Sequence, residues 1–73
     1  MKKTFDMTDL ECAHCAAKME NAIRALDGVT GASINFFAQK LTLEAEDARF
    51  DDIVAQAQKI CRKVEPDCRI VVR

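Results

Sequence analysis

An α+β fold, with two helices on one face of a four-stranded antiparallel sheet, is predicted by two features of this 73-residue chain. Four short segments alternate apolar and polar side chains, and two longer segments repeat apolar side chains at three- and four-residue spacing. Their order is β-α-β-β-α-β, the split-βαβ or ferredoxin-like sandwich.

Each element has its own signal. Phe5, Met7 and Asp9 fall on one side of a period-two pattern and Thr4, Asp6 and Thr8 on the other, so a first strand is expected over roughly residues 3 to 8. Leu10 should tuck in just beyond it. Ala13, Ala16, Met19, Ala22, Ile23 and Leu26 recur on one face of a helix that Asp27-Gly28 should end. Ala32, Ile34 and Phe36, then Leu41, Leu43 and Ala45, alternate with polar residues as two strands of a hairpin. Phe50, Ile53, Val54, Ala57, Ile60, Cys61 and Val64 form the second helical stripe, capped near Asp51 or Asp52 and stopping before Pro66. Cys68, Ile70 and Val72 alternate as the last strand.

The length suits one domain, residues 1–73, near the lower limit for a core without staples. No internal repeat, linker or low-complexity segment interrupts it. An apolar fraction of 49% and a charged fraction of 32% are those of a folding globular chain. Eleven Lys and Arg against twelve Asp and Glu leave a formal charge of −1 with no basic block, which argues against a nucleic-acid partner. No apolar run is long enough for a signal peptide or membrane helix, so the segment is expected in the cytosol, not inserted in a membrane. In a reducing compartment, four cysteines with a Cys-x-x-Cys pair suggest a metal or redox site before a disulfide framework.

In this topology each crossover links parallel strands with a third, antiparallel strand between them. The end of strand one, the start of helix one, the end of helix two and the start of strand four therefore share one edge. All four cysteines, Cys12, Cys15, Cys61 and Cys68, fall there. Cys12 lies at the loop exit and Cys15 in the first helical turn, a spacing that lets both sulfurs meet one ion. Unpaired N–H groups and the helix dipole favour the thiolate form there. Two thiolates suffice for copper(I) but fill only half of a tetrahedral zinc shell.

Glu11 is either an exposed loop carboxylate or a third ligand, and as a ligand it would favour zinc over copper(I). Cys68 and Cys61 are either core residues or, for Cys68 above all, a further sulfur donor. His14, between the paired cysteines, points away from an ion that both sulfurs face, towards solvent or a partner. Met7 and Met19 fit the core stripes better than a ligand role. Lys59, Arg62 and Lys63 suit the negative end of the second helix dipole and would also offset charge on a bis-thiolate site.

The run Leu10-Glu11-Cys12-Ala13-His14-Cys15-Ala16-Ala17-Lys18-Met19-Glu20 resembles the metal-binding loop and first helix of heavy-metal-associated domains. These are found in copper chaperones and at the N-termini of metal-transporting P-type ATPases. The likeness extends through Phe5 and Met7, Gly28-Val29, Ile34-Asn35-Phe36, Lys40-Leu41-Thr42 and Glu65-Pro66-Asp67. Copper members usually carry Met where Leu10 stands and Thr or Ser where Glu11 stands. Leu10 and Glu11 are closer to the zinc, cadmium and lead ATPase type, in which an Asp commonly occupies the position of Glu11.

The resemblance implies Cys12 and Cys15 as ligands, Glu11 as a third, and Zn(II) or Cd(II) as the favoured ion, with Pb(II) and Cu(I) as alternatives. It implies a P-type ATPase, or the membrane portion of the same protein, as partner, and a metal-bridged dimer as a candidate assembly. The Cys-x-His-Cys loop is also similar to that of bacterial copper chaperones, so a copper(I) metallochaperone is the alternative function. A thiol-disulfide oxidoreductase is the rival from another class, since Cys-x-x-Cys at a helix start serves that chemistry too. The short chain and the absence of Trp argue against it, and insulin reduction would discriminate. A purely structural zinc module would need all four cysteines and would unfold on chelation.

Overall fold

The computed structural model describes residues 1–72 and has the expected architecture. Strand β1 (Lys2–Thr8) leads to helix α1 (Ala13–Arg24), then β2 (Val29–Asn35) and β3 (Lys40–Ala45), a single 3-10 turn (Asp47–Arg49), helix α2 (Phe50–Val64) and β4 (Arg69–Val71). The strands lie in the order β2-β3-β1-β4, and every neighbouring pair is antiparallel. Phe5 stands opposite Leu41, Met7 opposite Ile70 and Ala32 opposite Leu43, so the period-two pattern turns one apolar face of the sheet towards the helices.

That face supplies Phe5, Met7, Ala32, Leu41, Leu43, Ala45 and Ile70 to a single core. Helix α1 adds Ala16, Met19 and Ile23 at three- and four-residue intervals, and α2 adds Phe50, Ile53, Val54, Ala57 and Cys61. Phe5 and Phe50 stack with centroids 6.2 Å apart, joining the sheet to the second helix. No charged or polar side chain is buried among the described residues. The core is therefore built from apolar contact alone, the largest favourable contribution available to so short a chain.

Five boundaries differ from the sequence expectation, one of them at the last strand, which runs Arg69–Val71 and leaves Cys68 and Val72 outside it. Asp9 does not continue the alternation of β1: it takes a left-handed φ of 57° and turns the chain off the sheet. Helix α1 stops at Arg24, ahead of Asp27, because Leu26 N–H bonds to Ile23 C=O at 3.1 Å and tightens the exit into turns. Gly28 closes that exit at φ +93°, where an added Cβ would also stand 3.1 Å from Ile53 Cδ1. Phe36 lies in the β2–β3 turn and not on β2, although its ring still packs against the core. Finally, neither Asp51 nor Asp52 caps α2. The 3-10 turn feeds directly into the helix through Arg49, leaving both carboxylates in the first turn, where the dipole favours them.

Candidate metal centre

The loop between β1 and α1 is shaped by side chains that come from distant parts of the chain. Leu10 drops into the core at 3% exposure, and the Gln39 amide holds its backbone on both sides. Gln39 Oε1 accepts the Leu10 N–H at 3.0 Å, while Nε2 donates to the Leu10 carbonyl at 2.6 Å and to the Phe36 carbonyl at 2.8 Å. From the opposite side Glu65, the residue that ends α2, accepts the Cys12 N–H at 3.2 Å and the Glu11 N–H at 3.4 Å. Backbone groups that an irregular loop would otherwise leave to water are thus paired with fixed neighbours, which orders the loop in advance of any ligand.

Cys12 is the N-cap of α1. Its backbone is extended, its carbonyl takes the first helical bond from Ala16 N–H at 2.9 Å, and its Sγ accepts the Cys15 N–H at 3.1 Å. Sulfur here occupies the place usually taken by a Ser or Asp oxygen, and it accepts far better as thiolate than as thiol. The hydrogen bond from the Cys15 thiol, with the N–H groups of Cys15 and His14, accordingly lowers the Cys12 pKa against the opposing effects of burial and Glu65. The same bond raises Cys15 to about 11, assisted by burial, the Cys12 charge and Glu65.

Losing one proton thus leaves a Cys12 thiolate steadied by the Cys15 S–H. An ion that takes both sulfurs must also expel the Cys15 proton, against which it competes less well as pH falls. Apparent affinity for such an ion should therefore rise by at least about tenfold for each pH unit between about pH 6 and 8, because the Cys15 proton must leave throughout that range, as competition titrations would show.

The Sγ atoms of Cys12 and Cys15 and a carboxylate oxygen of Glu65 all lie within 4.8 Å of one another, each on a half-buried residue. The structure therefore brings the paired cysteines together, and the carboxylate that joins them comes from α2. The Glu11 side chain is exposed and its carboxylate is not part of that group. His14 is exposed as expected. Cys68 and Cys61 are 0% exposed in the core and lie outside the group as well. Burial, and then the neighbouring Cys68, push Cys61 up to about 12. Burial, with Glu65 and Asp9, also raises Cys68, against the effect of Arg69. Met7 and Met19 are core residues, at 4% and 0% exposure.

Glu65 and Gln39 were not anticipated as site residues from the sequence. The signals for Glu65 are its place in the Glu65-Pro66-Asp67 run that shares the family likeness and the topology, which puts the end of the second helix at the cysteine edge. Among the described residues no helix is long and apolar enough to cross a membrane.

Known proteins share this fold. The chain is 35% identical over 60 residues, 82% of its length, to the zinc/cadmium/lead-transporting P-type ATPase of Escherichia coli K12. It is 28% identical over 64 residues to the copper chaperone CopZ of Enterococcus hirae, covering 88% of this chain and 86% of that one. It spans no more than 9% of the length of the ATPase relatives named first among its matches. The solution structure of the N-terminal domain of ZntA in the Zn(II) form superposes with a TM-score of 0.72 at 30% identity, over 96% of this chain and 88% of that one. The family model described as "Heavy-metal-associated domain" matches residues 4–65, and the chain belongs to that family of heavy-metal-binding domains.

Proposed function

We propose that the chain binds a zinc- or cadmium-type ion through Cys12 and Cys15 and passes it to a metal-transporting P-type ATPase, either as a separate carrier or as the N-terminal domain of such a pump. One observation carries this reading. The two thiols meet on a half-buried rim, at the margin of an apolar core whose fully buried residues include neither of them. Binding and transfer need no catalytic group. A rim site with few protein donors leaves room for an incoming thiolate, so the ion can change hosts without being released to water.

The sequence before the first cysteine supports a divalent cargo, since Leu10 and Glu11 stand where copper-binding relatives usually have Met and Thr or Ser. A carboxylate near the thiols supports it too, because oxygen donors suit zinc and cadmium better than copper(I). A copper(I) chaperone is the second reading. Its support is the Cys-Ala-His-Cys loop and a likeness to a copper chaperone that extends over 86% of that protein.

Anaerobic competition titration of the reduced protein with Zn(II), Cd(II), Pb(II) and Cu(I) tests both readings. We expect equimolar retention of Zn(II) and Cd(II) against a chelator that strips an exposed carboxylate pair. Retention of Cu(I) alone would favour the chaperone reading, and retention of no thiophilic ion would end both.

A further inference from the structure

We infer that the open edge of strand β2 is an association surface for a second copy of this chain, and that the Glu20–Arg24 pair of α1 holds it shut. This inference goes beyond the metal-binding reading and does not depend on it.

A sheet ordered β2-β3-β1-β4 has two outer strands, each with one edge that faces no further strand. Such an edge templates pairing with another chain, and proteins usually blunt it with charge, proline or shortness. β2 has little protection of this kind. Its seven residues, Val29-Thr30-Gly31-Ala32-Ser33-Ile34-Asn35, include no charged side chain and no proline. A register shift between Val29 and Gly31 bends only its first part, and from Ala32 to Asn35 the ladder with β3 is regular.

The protection comes from α1. Alternate residues of an antiparallel strand turn both backbone groups to the same side, and Ala32 and Ile34 turn theirs away from β3. Arg24 Nε donates to the Ala32 carbonyl at 2.8 Å, and Glu20 Oε2 accepts the Ile34 N–H at 3.2 Å. One helical turn apart, the two side chains also bind each other, Arg24 Nη2 to Glu20 Oε1 at 2.9 Å. A linked pair of charges thus lies where the next strand would run.

The groups so occupied identify the occupant they keep out. Two copies of β2 crossing antiparallel about Ser33 would join the Ile34 N–H of each to the Ala32 carbonyl of the other, with a two-fold axis making both bonds alike. Those are the groups that Glu20 and Arg24 hold. The opposite edge is closed by the same means, since Gln58 of α2 accepts the Ile70 N–H and donates to the Ile70 carbonyl, both at 2.8 Å. β4 has three residues, Arg69–Val71, too short a ladder for stable pairing. The longer β2 is therefore the edge at which a second copy would add.

The test uses the whole chain, reduced and metal-free, so that no ion can bridge two copies through the thiols. Sedimentation velocity over a range of concentrations and amide hydrogen exchange compare wild type with Glu20→Ala/Arg24→Ala, Glu20→Gln and Gln58→Ala. Alanine has the highest helix propensity, so α1 should persist in the double variant. Wild type is expected to be monomeric. In the dilute double variant the Ile34 amide should exchange about 2- to 12-fold faster, the factor for losing one hydrogen bond, and dimers should appear as concentration rises. Glu20→Gln retains an oxygen for the Ile34 N–H and should stay monomeric. Gln58→Ala should speed exchange at Ile70 by a similar factor and also stay monomeric. Adding Ser33→Lys to the double variant sets like charges against each other at the crossing point and should restore the monomer.

A double variant that stays monomeric at its highest soluble concentration would overturn the proposal, as would a dimer that survives Ser33→Lys. Equal dimerisation of Gln58→Ala would assign the association to general loosening and overturn it too. Should the double variant fail to fold by circular dichroism, Arg24→Ala alone carries the same test, because it frees the Ala32 carbonyl and leaves the Glu20 bond in place. None of these results bears on ion binding by Cys12 and Cys15.

Discussion

Serine in place of Cys12 or Cys15 is expected to abolish tight binding of every thiophilic ion while the domain stays folded. Structural zinc sites with four protein ligands bind with an apparent free energy of about 10–16 kcal/mol, which puts roughly 2.5–4 kcal/mol on each donor, or about 10²- to 10³-fold in affinity. A site with fewer protein donors depends more on each of them. Cys12→Ser separates binding from folding with particular clarity, because serine is among the best N-cap residues. Its Oγ would accept the Cys15 N–H that Sγ now accepts at 3.1 Å, so α1 loses nothing at its start. Cys15→Ser removes the partner thiol but keeps the backbone N–H that steadies Cys12. Circular dichroism should match wild type in both variants while competition titration shows the loss. Near wild-type retention of zinc, cadmium or copper(I) by Cys12→Ser would exclude the thiol pair as the binding site.

The same local-versus-distant contrast explains what could be read from the sequence. The six main elements and the buried face of each were legible because one-in-two and one-in-3.6 periodicities depend only on near neighbours. Met19, Ile23, Leu43 and Ile53, all 0% exposed, stand where those periods put them. The shared cysteine edge followed from topology alone. Features that depend on long-range pairing were not legible. Gln39 clamps Leu10 across 29 residues, and Glu65 reaches Glu11 and Cys12 across 54 and 53. Nothing local marks either side chain as different from an exposed turn or helix-end residue. Glu11 drew attention because it adjoins a cysteine in sequence. The structure also sets beside the sulfurs the carboxylate of Glu65, adjacent only in space. The left-handed Asp9 and the 3-10 entry to α2 escaped for a related reason, since each is imposed by where the chain must go next and not by its own composition.

Leu43→Ala addresses the scaffold itself, and through it the claim that the domain stands without an ion. Leu43 is 0% exposed on β3, opposite Lys3 of β1 and Ala32 of β2, in the interior of the sheet. Truncation there should cost about 2–5 kcal/mol in lost burial and cavity formation. A chain of 73 residues has a total stability of only about 4–11 kcal/mol at typical values per residue. Urea denaturation of the metal-free variant should therefore show a large drop in midpoint, while the metal-free wild type, treated with chelator, keeps a cooperative transition. Because cargo binds the folded state, zinc at about 100 times its dissociation constant should restore about 2.7 kcal/mol to Leu43→Ala. That rescue should vanish when Cys12→Ser is added, since the linkage runs through the thiol pair. If chelator alone unfolds the wild type, the ion is part of the core's support, and the proposed handover of that ion would need a different physical basis.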